Sequence, residues 1–227
     1  MFTGFFNGWK ESDFRRRVYN QDYVRADPPF AGERPARLAD YLAETLEGVL
    51  DRVSLLDFGA GDGRMVALLR ARGLVKGSVF DPYHAESARP DQQFDLVTAF
   101  EVVEHVVDQR ALFEELGALI APRGVLVLST LLQPADIEAQ GASWWYACPR
   151  NGHLGFHTAA SLSEALRRVG LQLLSLSEEL HVAFRSPGEL LAAFRRSAHD
   201  LAVSGAPPTR GGGESLSAPL AGDAPGR

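Results

Sequence analysis

Four short runs along this chain carry consecutive apolar residues instead of alternating ones: VSLLDF at 53–58, SVFD at 78–81, FDLVTAF at 94–100 and GVLVLST at 124–130. A strand wetted on one side alternates, so strands of this kind must be covered on both faces. Between them lie residues at helical spacing: Met65, Leu68 and Leu69, then Leu112, Phe113, Leu116, Leu119 and Ile120. Such alternation predicts an α/β fold, a doubly wound and mostly parallel sheet with helices on both sides. Upstream, Leu38, Tyr41, Leu42, Leu46, Val49 and Leu50 make one amphipathic stripe over 34–51. Downstream, Ser161 with Glu164 reads as a capping box opening a helix that Gly170 closes. The last two runs, LQLLSLS and LHVAFRS, are separated only by Glu178 and Glu179. That is too little chain for a crossover, so they must pair as a C-terminal antiparallel hairpin. A final helix is predicted from Pro187 to about Val203.

Three zones follow. Residues 1–35 form an aromatic arm or lid, with Phe2, Phe5, Phe6, Trp9, Phe14, Tyr19, Tyr23 and Phe30 and a helix-breaking DPP at 27–29. Residues 36–203 form the domain, and 204–227, rich in Gly, Pro, Ala and Ser, are predicted to be disordered. A net charge of −6 argues against nucleic acid and anionic membrane surfaces as partners. No apolar segment approaches the roughly 20 residues that span a bilayer. The single cysteine, Cys148, excludes an intrachain disulfide, and no secretory signal is visible at the start, so the cytoplasm is expected. Lys10 and Lys76 are the only lysines among 23 basic residues, a bias expected of a GC-rich bacterial genome.

The first strand runs into LLDFGAGDGRM, 55–65, with glycines at 59, 61 and 63 followed by a helix. Small residues, backbone N–H groups and a helix N-terminus therefore meet at the carboxyl end of the sheet, where open parallel sheets bind ligands. A dinucleotide fingerprint would need glycine at 64, which is Arg64. The pattern present, Asp57 two residues before G-x-G-x-G, resembles the first motif of class I S-adenosylmethionine (SAM) dependent methyltransferases. FDLVTAFEVVEH resembles the fourth-strand signature of the group that includes the ubiquinone-biosynthesis O-methyltransferases, LAPRGVLVLST its turn into the next strand, and HTAASLSEALRRVGLQLL its following helix and strand.

The resemblance implies SAM held by Asp57, Gly59, Ala60, Gly61, Asp62, Gly63, Asp81, Pro82, Phe100 and Glu101, with Asp81 accepting the ribose hydroxyls; on shape alone, Pro82, Tyr83 and Phe100 are expected to pack the adenine. One departure stands out. Only twelve residues separate Asp81 from Phe94, so the third strand, with its adenine-contacting acid, is shortened or missing. The implied activity is methyl transfer, most simply to an oxygen of a small molecule or of a lipid or glycan precursor. A catalytically silent scaffold on the same fold is the alternative.

Methyl transfer requires alignment of nucleophile and methyl carbon, and a base where the nucleophile carries a proton. Glu101, Glu104 and His105 lie at i, i+3 and i+4, one face of a helical turn. Three readings stay open: a core histidine with capping carboxylates, His105 as general base, or a divalent metal. The metal reading comes from related enzymes that use Glu-x-x-Glu-His and a later histidine, here His153. Substrate contacts are expected from Trp145, Tyr146, Arg150, His153 and His157, with Trp144 beside them, although the tryptophans read equally well as core.

Overall fold

The computed structural model describes residues 8–18, 32–83, 88–147 and 152–204. The arm's Phe2, Phe5, Phe6, Tyr19, Tyr23 and Phe30, the substrate candidate Arg150, and the tail from 205 onward lie outside the described residues. In chain order the elements are α1 (Glu11–Arg17), α2 (Glu33–Thr45), β1 (Ser54–Phe58), α3 (Arg64–Ala71), β2 (Lys76–Phe80) and β3 (Phe94–Phe100). Then come α4 (Gln109–Leu119), β4 (Ile120–Ser129), α5 (Ile137–Gln140), α6 (Ala159–Arg168), β5 (Gln172–Ser175), β6 (Leu180–Phe184) and α7 (Glu189–Ser204).

The sheet order is β2-β1-β3-β4-β6-β5. The first four strands run parallel, and β6 pairs antiparallel with both β4 and β5. Neighbouring residues of each inner strand face opposite cores, which is why these strands are continuously apolar. Leu55, Leu96, Val125 and Val127 pack with Leu42, Leu69, Leu191 and Phe194 beneath α2, α3 and α7. Leu56, Val97, Leu126 and Leu128 pack with Phe113, Leu116, Leu162 and Leu166 beneath α4 and α6. Among the described residues no strand lies between Phe80 and Phe94, so β2 is the sheet edge and the expected third strand is absent there.

Two local expectations change. Helix α6 is capped by Thr158, whose hydroxyl accepts from Ser161 N while the Ser161 hydroxyl accepts from Thr158 N; Glu164 instead pairs with Arg167 and Arg168. The reciprocal box therefore sits three residues earlier than Ser161–Glu164. Strand β4 begins at Ile120, not Gly124, because Ile120 pairs with Phe94 ahead of a register shift. Gly124 sits in that irregularity, where a Cβ would lie 2.7 Å from the Asp95 carbonyl oxygen.

Candidate active site

A cavity of about 840 Å³ opens at the carboxyl ends of β1, β2 and β3. Its floor is the glycine turn, with Gly59, Gly61 and Gly63 all left-handed at φ 78, 55 and 75°. Gly59 and Ala60 donate to the Phe80 carbonyl, 2.7 and 3.2 Å, which folds the turn against β2. A Cβ on Gly59 would stand 2.5 Å from Val102 Cγ2, so side-chain-free backbone is required as well as positive φ. Asp62 accepts from Arg64 N, 3.1 Å, at the start of α3.

Asp57, Gly59, Ala60, Gly61, Asp62, Asp81, Pro82, Phe100 and Glu101 line this cavity, together with Tyr83. Gly63 lies just beneath, as the N-cap of α3. Asp81 accepts from Gly61 N through Oδ2 and from Tyr83 N through Oδ1, both 2.8 Å. It thus ties the glycine turn to the segment after β2. Asp57 is buried and accepts from the Thr98 hydroxyl, 2.7 Å. Burial pushes its pKa up to about 7 against that hydrogen bond, with Asp81 adding repulsion.

The EVVEH segment departs from a single helical turn. Glu101, the residue after β3, takes left-handed backbone, φ 53°, and only Val103–His105 form a 3₁₀ turn. Glu101 therefore leaves the turn that holds its two partners, although its carboxyl stays near that of Glu104. It accepts from the Ser129 hydroxyl, 2.7 Å, while its N–H donates to Ser129 Oγ, 2.9 Å. Burial and neighbouring Glu104 raise its pKa, and the positive charge of Arg34 opposes them.

Glu104 is fully buried. Its Oε1 accepts from Tyr146 Oη, 2.7 Å, and Oε2 has no hydrogen-bond partner among the described residues. Burial raises its pKa, opposed by Tyr146 and more weakly by Thr130 and Glu101. The Glu104 carbonyl accepts from Leu154 and Gly155, which seats the 152–155 loop and brings His153 against His105, ring centroids 4.8 Å apart. His153 Nδ1 lies 2.6 Å from the Tyr146 carbonyl and His105 Nδ1 3.2 Å from the Gly152 carbonyl. A carbonyl only accepts, so both Nδ1 atoms carry the proton and Nε2 is the acceptor of each ring. Ligand atoms of Glu104, His105 and His153 lie within 4.8 Å of one another. His105 is the member of this trio that faces the cavity.

The expected substrate residues are dispersed. Trp145 is 68% exposed outside the cavity, Tyr146 turns inward to Glu104, and His153 lies behind His105. His157 does not line the cavity: it meets Gln109 Oε1 and Ser161 Oγ, each at 3.2 Å, and burial lowers its pKa to about 4. It holds Gln109, whose amide donates at 2.6 Å to the Val103 and Val106 carbonyls, so His157 braces the 3₁₀ turn from behind. Trp144 packs with Tyr146 and Phe156 as core. Instead, Trp9, Phe14, Arg34, Pro35 and Leu38 form the cavity wall on the side of α1 and α2.

A parallel sheet with a glycine turn and a carboxylate at its carboxyl end is where open α/β folds bind ligands. Residues 30–176 match the family described as "Methyltransferase domain", and the chain belongs to that family: it is a SAM-dependent methyltransferase. It is 29% identical over 209 residues to a ubiquinone biosynthesis O-methyltransferase of Xanthomonas oryzae, covering 83% of this chain and 86% of that one. Over 94 residues, 38% of this chain and 36% of the other, it is 35% identical to a protein of the same name from Rhodopseudomonas palustris. Its fold is similar to an O-methyltransferase family 2 protein from Planctomyces limnophilus solved with apigenin, at TM-score 0.56 and 16% identity over 79% of this chain and 63% of that one. An O-methyltransferase family protein from Burkholderia thailandensis gives TM-score 0.51 and 18% identity, over 74% of this chain and 64% of that one. No helix among the described residues is long and apolar enough to cross a membrane.

Proposed function

We propose that this enzyme methylates a hydroxyl oxygen of a small molecule, and that Glu104, His105 and His153 hold a divalent cation beside the acceptor. The observation that carries the second part is the donor set: two imidazoles with Nδ1 anchored on backbone carbonyls, and a buried carboxylate with an oxygen that lacks a hydrogen-bond partner among the described residues. Anchored Nδ1 atoms fix tautomer and ring orientation, the usual support of metal-bound histidine. Oxygen with imidazole suits Mg²⁺, Mn²⁺ or Zn²⁺ and singles out none. Such an ion supplies Lewis-acid acidification of a hydroxyl. Glu101 lies outside the trio and supports it through charge.

The names of the relatives favour oxygen over nitrogen as the acceptor. SAM would lie with its amino-acid end over Gly59–Gly63, its ribose at Asp81, its adenine near Pro82, Tyr83 and Phe100, and its carboxylate facing Arg34. The acceptor would enter past Trp9 and Phe14, with residues 1–35 acting as the lid and the cytoplasm as the setting. Nothing favours the silent scaffold.

The test is transfer of labelled methyl from SAM to a panel of catechols, phenols and quinols. Label should appear as a methyl ether, disappear with EDTA and return with a divalent ion, and His105→Ala should lose about 10²- to 10⁴-fold in turnover while still binding SAM. A His105→Ala enzyme as active as wild type, with EDTA without effect, would remove both the metal and the general-base role of His105.

A further inference from the structure

We propose that Glu115 and Arg89 read the edge of the adenine, a task left open where the described residues form no third strand. The inference rests on SAM as the cofactor. With β2 at the sheet edge, no strand among the described residues flanks the cavity beyond Asp81. The cavity nevertheless continues past Tyr83 to Arg89, and α4 closes its other side through residues at 108, 111, 112 and 115, one helical face. Arg89 Nε and Glu115 Oε1 meet at 2.9 Å across that gap. The Arg89 side chain is 67% exposed, so as a stability contact the pair does little. Glu115, 21% exposed, is sheltered enough to act as a directed acceptor.

The chemistry of the pair is complementary to adenine. A carboxylate only accepts and a guanidinium only donates. Held together, they present an acceptor beside a donor. Adenine offers the reverse, a 6-amino donor beside a ring-nitrogen acceptor. Hypoxanthine replaces the amino group with a carbonyl oxygen and protonates N1, which sets acceptor against acceptor and donor against donor. Sites that hydrogen-bond a ligand group reject analogues in which it is changed, because the protein's own groups are left unpaired.

The experiment compares binding of S-adenosylhomocysteine and S-inosylhomocysteine to the full chain by calorimetry. Wild type should prefer the adenine compound by about 30-fold or more, and Glu115→Gln, whose amide can donate to the 6-oxo group, should cut that preference at least about fivefold. Arg89→Ala should weaken both compounds and narrow the ratio. Because the ratio is taken within each variant, partial unfolding does not move it. An unchanged ratio in Glu115→Gln, or a wild type that binds both equally, overturns the proposal while leaving the cofactor intact. A wild type that binds neither strikes at the cofactor reading and removes this inference with it.

Discussion

Replacing Tyr146 by Phe isolates one hydroxyl at the heart of the donor cluster. The ring packs against Trp144, Trp145 and His153, with centroids at 5.4, 5.4 and 4.2 Å, and Phe keeps those contacts. What is lost is the 2.7 Å bond to Glu104 Oε1 and the 3.3 Å acceptor for Leu131 N. Glu104 Oε1 then loses its phenol donor while still buried, and a buried group left unsatisfied costs about 1–3 kcal/mol. Protonation of Glu104, already favoured by burial, limits the loss, so a total near 2 kcal/mol is expected. For a chain of this size that lowers Tm by about 4–8 °C. Loss of a ligand's outer support should also weaken binding of Mn²⁺ by about 10- to 100-fold. SAM affinity should stay within about twofold, since Tyr146 does not line the cavity. Thermal melting with and without Mn²⁺, beside calorimetry with SAM, reads all three. Unchanged Tm and unchanged Mn²⁺ affinity would refute the claim that Tyr146 holds Glu104 in place.

Other expectations follow from the same geometry. Gly59→Ala puts a Cβ against Val102 Cγ2 at φ 78° and should destabilise the protein by at least about 1–2 kcal/mol in melting experiments; adding Val102→Ala should recover the steric part but not the backbone strain. Asp81→Asn keeps the shape but can accept through one oxygen only, so either Gly61 N or Tyr83 N loses its partner, and SAM affinity should fall about tenfold by calorimetry. Asp57 titrates at about 7 in the fold against 3.8 ordinarily, so its contribution to stability is present at low pH and lost as pH rises through about 7. The positive charges of SAM favour its ionised form, so the Tm gain from saturating SAM should grow between pH 6 and 8; a gain flat with pH would exclude Asp57 from the cofactor's neighbourhood. His157, at about 4 against 6.5, behaves oppositely, stabilising the fold above 6.5 and ceasing to do so as pH falls toward 4. Substituting it by Phe should flatten that acid-side decline in Tm.

The sheet was legible because strands covered on both faces must be continuously apolar, and the hairpin because two residues cannot cross over. The glycine turn was legible because left-handed backbone and close approach select glycine at 59, 61 and 63. The donor cluster was only half legible. Spacing placed Glu101, Glu104 and His105 on one turn, yet left-handed backbone at Glu101 takes it out of that turn, and a positive φ at glutamate has no local signature. Tyr146 lies 42 residues from Glu104 and sits in an aromatic segment equally suited to a substrate wall, so nothing local marks it as the partner. His157 shares its residue type and loop with His153, and only tertiary packing against Gln109 separates brace from donor. Arg34 was missed because it opens an ordinary amphipathic helix; only its position beside Glu101 gives it a role.

The most direct test of the account is a Mn²⁺ titration of the purified chain, read by electron paramagnetic resonance in the presence of S-adenosylhomocysteine. One ion should bind per chain, and His153→Ala and Glu104→Ala should each abolish that binding while still holding the nucleoside. Mn²⁺ that stays free with wild type, or that binds equally to both variants, would contradict the assignment of Glu104, His105 and His153 as a metal site.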